Sequence, residues 1–131
     1  MAKGGKVLVV DDQEGIRILL AETCSLLGYE VTTVASGLEA LKMMEQDHYQ
    51  VAFIDMKMPG MNGLETLEKA LSLNPQIKGI VMTGYGETFF LEVLERGAYS
   101  IVQKPFDLDE IKGLLESALT DGCNTLNDKL G

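Results

Sequence analysis

Five short apolar runs recur along this sequence, separated by amphipathic stretches, and that alternation limits the fold more than any other feature of the chain. Val7–Val10, Tyr29–Val34, Val51–Ile54, Ile77–Met82 and Tyr99–Val102 have the length of strands. Between the first two, Ile16, Leu19, Leu20, Thr23 and Leu27 share one helical face. The same spacing recurs in Leu38, Leu41 and Met44, in Leu64, Leu67, Ala70 and Leu71, in Phe90, Val93 and Leu94, and in Leu108, Ile111, Leu115 and Ala118. Stops and starts fall where they should. Gly28 and Gly97 close two helices and Asn74-Pro75 breaks a third, while Ser36/Glu39, Asn62/Glu65 and Asp107/Glu110 have capping-box spacing.

Strict strand–helix alternation implies a parallel sheet with helices on both faces. The first and third strands are unbroken apolar runs, as central strands covered on both sides require. The second and fifth are mixed, which suits edges. The expected fold class is therefore α/β, a flavodoxin-like (βα)5 doubly wound sheet of order 2-1-3-4-5. With 131 residues there is room for one domain. We expect a tail at 1–4, the domain at 5–120, and a tail or linker start at 121–131.

In such a sheet, ligands bind beyond the carboxyl ends of the strands. Here the first strand ends in Asp11 and Asp12, the third in Asp55, the fourth in Thr83 and the fifth near Lys104. Three converging carboxylates repel one another, and a lysine or a hard cation relieves that repulsion. Mg²⁺ prefers such oxygen ligands. A carboxylate, Mg²⁺ and a lysine together suit phosphoryl transfer, with a carboxylate able to act as the nucleophile on phosphorus. Taken alone, Asp12 is as good a helix N-cap as a ligand, Asp55 a turn former, and Lys104 a solvated charge. It is their joint placement that argues for a site.

Composition narrows the remainder. The net charge of −9 disfavours direct nucleic-acid binding and anionic membranes. No apolar run approaches the roughly 20 residues of a membrane span, and the two cysteines, Cys24 and Cys123, are unclustered, so a reducing cytoplasm is expected. His48 has no second histidine to ligate a transition metal with, and reads as a surface turn residue; Cys24 reads as a small buried hydrophobe, and Met56, Met58 and Met61 as packing around the loop.

Four segments at strand ends carry a family resemblance: Val7-Leu8-Val9-Val10-Asp11-Asp12, Asp55 through Gly63, Met82-Thr83-Gly84-Tyr85-Gly86, and Gly97-Ala98-Tyr99 through Lys104-Pro105-Phe106. Over about residues 5–120 the chain resembles a response-regulator receiver domain of bacterial two-component signalling. The resemblance implies a phosphorylation-controlled switch, not an enzyme beyond its own phosphorylation and dephosphorylation. It makes Asp55 the phospho-acceptor from a sensor histidine kinase or phosphotransfer domain. Asp12, Asp55 and the backbone carbonyl of Lys57 would hold Mg²⁺, with Asp11 acting through water. Thr83 would bond a phosphoryl oxygen, and Lys104 would pair with Asp55 and then with the phosphoryl group. Gly84 would leave access, and the Lys104-Pro105 bond is often cis in the family. Output is expected through the face built from helix four, strand five and helix five, with Phe89 near it, toward a partner or effector domain that the sequence does not name. The chain departs from the family at Ile101, where an aromatic switch residue is usual; Tyr99 is expected on the same sheet face, farther from the site.

Two other activities use similar parts. An aspartate-nucleophile phosphatase of the haloacid-dehalogenase type needs a second aspartate two residues after the nucleophile, where this chain has Lys57. A flavodoxin-type FMN carrier needs a phosphate-cradling loop where this chain has acidic Asp11-Asp12-Gln13-Glu14. A degenerate receiver is disfavoured by the intact set of five residues.

Overall fold

The computed structural model describes residues 5–84 and 90–120. The expected tails at 1–4 and 121–131, and the readings on Tyr85, Gly86, Phe89 and Cys123, lie outside these residues.

The strands are β1 (Lys6–Val10), β2 (Glu30–Val34), β3 (Val51–Asp55), β4 (Lys78–Thr83) and β5 (Ser100–Gln103), and the helices α1 (Glu14–Leu26), α2 (Gly37–Gln46), α3 (Gly63–Leu73), α4 (Phe90–Glu95) and α5 (Leu108–Thr120). All strand pairs are parallel and the order is β2-β1-β3-β4-β5, as expected. β3 is buried along its whole length, whereas β2 and β5 are partly exposed, in keeping with their edge positions.

The period of two along each strand divides the core. Val7 and Val9 of β1, Val51 and Phe53 of β3, and Ile80 and Met82 of β4 pack with Leu20 and Cys24 of α1 and Ile111, Leu115 and Ala118 of α5. The alternate residues Leu8, Val10, Ala52, Ile54 and Val81 pack with Ala40 of α2, Leu67 of α3 and Val93 of α4. Burial pushes the Cys24 thiol up to about 12, the behaviour of an inert core cysteine.

Helix faces differ from expectation in detail. Leu38 is 57% exposed, and Gly37 and Ala40 are the buried residues of α2. The reason is close approach: a Cβ on Gly37 would collide with the Thr66 hydroxyl of α3, so the small-residue face meets α3 and Leu38 turns outward. Leu19, Leu94 and Leu108 are likewise exposed at the margins of their stripes. Strands β2 and β5 begin one residue later than the apolar runs, and β4 is shifted to include Thr83.

The capping arithmetic holds for Asn62/Glu65, which forms both bonds of the box, and for Asp107/Glu110. At α2, Ser36 caps Glu39 N–H, but the Glu39 carboxylate reaches the N–H of Ala35 rather than that of Ser36. Asn62→Ala should cost about 1 kcal/mol, the worth of an N-cap; urea unfolding with an unchanged slope would measure it.

Candidate functional site

The carboxyl ends of β1, β3, β4 and β5 open into a cleft of about 420 Å³ lined by Asp12, Gln13, Asp55, Lys57, Gly84 and Lys104. Register explains the convergence. Parallel strands in order place Asp55 opposite Met82 and Thr83 opposite Gln103, so the residues that end the runs meet at one edge.

Asp11 follows β1 and is fully buried. Its N–H donates to Val34 O at 3.2 Å, and its own carbonyl accepts from the Arg17 guanidinium at 2.7 Å. One carboxylate oxygen accepts from Gln13 N–H and the other from Lys104 Nζ, each at 2.8 Å. Asp12 is exposed and is not the helix cap; Gln13 occupies the N-cap position of α1 without a side-chain cap bond. Asp55 ends β3 at 7% exposure, with an Oδ1 to Lys104 Nζ distance of 3.3 Å. Its carboxyl is pushed above the ordinary range, first by burial and then by the charge of Asp11; Lys104 and the Lys57 N–H pull the other way without cancelling this.

Thr83 ends β4 and is buried, and among the described residues its hydroxyl has no hydrogen-bond partner. A buried hydroxyl left unpaired is costly unless something else bonds it. Lys104 N–H donates to Thr83 O at 2.8 Å, which ties the lysine segment to β4, and the Lys104-Pro105 bond is cis. One carboxylate oxygen from each of Asp11, Asp12 and Asp55 lies within 4.8 Å of the other two. Such an all-oxygen, acidic donor set suits a hard divalent cation.

Asp11, Asp12, Asp55, Lys57, Thr83 and Lys104 thus lie at or beside one cleft, whereas Ile101 lines a separate one beside Tyr99 and Val102, and there are two additions and one correction. The additions are Gln13 and Arg17, which no motif marks. Gln13 sits next to the acid pair in the sequence, but its bond to Lys104, 91 residues away, is visible only in the fold. The correction concerns Tyr99 and Ile101, which do not share a face. Tyr99 packs with the α1/α5 cluster and its hydroxyl meets Ser117 Oγ at 2.7 Å, whereas Ile101 packs with the other cluster. β5 starts at Ser100, so strand alternation does not extend back to Tyr99.

The family model described as the response regulator receiver domain matches residues 7–116. The sporulation initiation phosphotransferase F of Bacillus subtilis is 42% identical over 115 residues, 87% of this chain and 93% of that protein. The C4-dicarboxylate transport transcriptional regulatory protein DctD of Rhizobium meliloti is 33% identical over 85% of this chain, which spans only 24% of that regulator. Among solved structures, a CheY-like response regulator receiver domain protein from Methanospirillum hungatei superposes with a TM-score of 0.84 at 31% identity, covering 98% of this chain and 100% of that one. No helix among the described residues is long and apolar enough to cross a membrane.

Proposed function

Because the chain belongs to the response regulator receiver domain family and works as a phosphorylation-controlled signalling switch, we propose that Asp55 is its phospho-acceptor and that residues 5–120 are the working unit. The convergence of Asp11, Asp12, Asp55 and Lys104 on one cleft is the observation that carries this reading.

The donor set fits Mg²⁺, which Asp12, Asp55 and the Lys57 carbonyl would hold, with Asp11 acting through water; bound there, it supplies charge neutralisation for phosphoryl oxygens. The rest is the work of side chains. An Asp55 oxygen attacks the phosphorus of a phosphohistidine on a sensor kinase or phosphotransfer domain. The P–N bond breaks, its electron pair returns to the imidazole, and an aspartyl phosphate remains on Asp55. Lys104, already within reach of Asp55, donates to a phosphoryl oxygen. The Thr83 hydroxyl, without a partner among the described residues, donates to another.

That bond draws the end of β4 inward and shifts a two-state equilibrium. The output surface is the face of α4, β5 and α5, where Leu91, Leu94 and Leu108 are exposed. Ile101 leaves the usual aromatic out of this coupling, so the shift runs through α4. The partner docks against α1, and the effector is a separate protein or a further domain, as in the longer regulators. The setting is cytoplasmic, without direct contact to nucleic acid or membrane.

Incubation with acetyl phosphate should add one phosphoryl group by intact mass, only with Mg²⁺ present, and peptide mapping should place it on Asp55. No uptake with both donor and Mg²⁺ present would overturn the reading. Steady turnover of phosphate esters would instead favour the phosphatase alternative, which Lys57 disfavours.

A further inference from the structure

Lys104 has three ammonium protons and, among the described residues, three acceptors around it. Asp11 Oδ2 lies at 2.8 Å, Gln13 Oε1 at 3.0 Å and Asp55 Oδ1 at 3.3 Å. The longest of the three bonds goes to the residue read above as the nucleophile. Gln13 is fixed at both ends, its N–H on the Asp11 carboxylate at 2.8 Å and its amide oxygen on Lys104. It stands at the N-cap of α1, yet its side chain caps nothing. A glutamine that is exposed and does not cap has no evident structural task there; its side chain reaches instead across the cleft to the lysine that follows β5.

We propose that Gln13 is a positioning residue for phosphoryl transfer, its side-chain oxygen holding the Lys104 ammonium on the α1 side of the cleft and so keeping the Asp55 oxygen available for attack. The physical argument is competition among acceptors. Without Gln13 the ammonium keeps, among the described residues, only the two carboxylates; its bond to Asp11 is already short at 2.8 Å, so the proton freed from Gln13 is taken up by closing the longer, 3.3 Å contact to Asp55. A shorter bond there withdraws electron density from the attacking oxygen. In the phosphorylated protein, Gln13 is also the neutral acceptor, and so the one Lys104 releases most easily when it turns to a phosphoryl oxygen.

This inference rests on Asp55 being the acceptor, and the test separates the two. Gln13→Met removes the acceptor oxygen and keeps the side chain's length. It should slow labelling by acetyl phosphate about three- to tenfold, the worth of one hydrogen bond. In a Lys104→Met background the same change should be close to neutral, because its target is gone. An equal factor in both backgrounds means a merely structural role and overturns the proposal. So does an unchanged rate with Lys104 present. A wild-type protein that fails to label defeats the acceptor reading instead.

A second arm needs no activity. The Lys104 ammonium resonance, read by NMR in metal-free protein, should shift and exchange faster in Gln13→Met, and stay protected in Gln13→Glu, which keeps an oxygen acceptor. A Lys104 signal indifferent to Gln13→Met overturns the proposal whatever the labelling rates, and this arm decides alone if the Lys104→Met protein labels too slowly to follow.

Discussion

Asp55→Asn is expected to abolish phosphoryl uptake and, in the same metal-free protein, to raise thermal stability. The loss is the simpler half. An amide oxygen is no nucleophile toward phosphorus, and Asp11 and Asp12 lie on a different loop. The gain follows from the electrostatics of the cleft. Asp55 and Asp11 are both buried and share one lysine, and the Asp55 carboxyl is held above its ordinary value of 3.8 by burial and by Asp11. A carboxyl with a raised pKa in the folded state binds its proton more tightly there than in the unfolded chain. Stability contributed by this group is therefore intact below 3.8 and declines as pH rises through the raised value. At pH 7 the ionised Asp55 is a net cost, and asparagine, of nearly the same shape, removes it. Lys104 is not orphaned by the change, because Asp11 and Gln13 still accept from it. Melting in EDTA at pH 7 should place Asp55→Asn above wild type by a few degrees, with the gap closing toward pH 3.5 and on adding Mg²⁺ to wild type. Equal melting temperatures in EDTA at pH 7 would mean that Lys104 fully offsets the repulsion.

The parts of this fold that are legible in the sequence are those set by period and punctuation. Val7–Val10 and Val51–Ile54 can only be strands covered on both sides, and the residues that end them have to meet at one edge once the strand order is read. Asp11, Asp12, Asp55, Thr83 and Lys104 are legible for that reason. What stays hidden depends on distances between elements. Nothing local says that Gly37 meets Thr66, and so the apolar spacing of Leu38 predicts burial where the tight α2–α3 contact turns it out. Tyr99 falls on the other face because the alternation begins only at Ser100, the start of β5. Gln13 and Arg17 act across the sheet end or back onto Asp11, contacts that no helical or strand period encodes.

Gly63→Ala should be a strongly damaging added methyl, although helix propensity argues for it. Gly63 opens α3, where alanine is favoured over glycine by about 1 kcal/mol. Packing has the opposite sign. A Cβ on Gly63 would collide with the backbone carbonyl oxygen of Asp55, and would lie 2.8 Å from Met56 Cα and 2.9 Å from the Asp55 carbonyl carbon. These are main-chain atoms that cannot rotate away. The Gly63 N–H also donates to Met56 O at 3.0 Å, so the helix start and the strand end are pinned together at the point of collision. Either α3 or the end of β3 must move, and overpacking of this kind costs about 3 kcal/mol or more. That corresponds to a fall in Tm of roughly 10 °C for a domain of this size. Labelling should fall too, because the displaced segment carries Asp55 and the loop to Lys57. Gly113→Ala is the matched control. Gly113 lies within α5, and a methyl added there meets nothing within 4 Å, so propensity acts unopposed and alanine should stabilise by about 1 kcal/mol. Opposite signs for one chemical change at two helical glycines would show that the approach of α3 to Asp55, and not glycine's backbone freedom, fixes residue 63. A Gly63→Ala protein that melts within a degree or two of wild type would disprove that close contact.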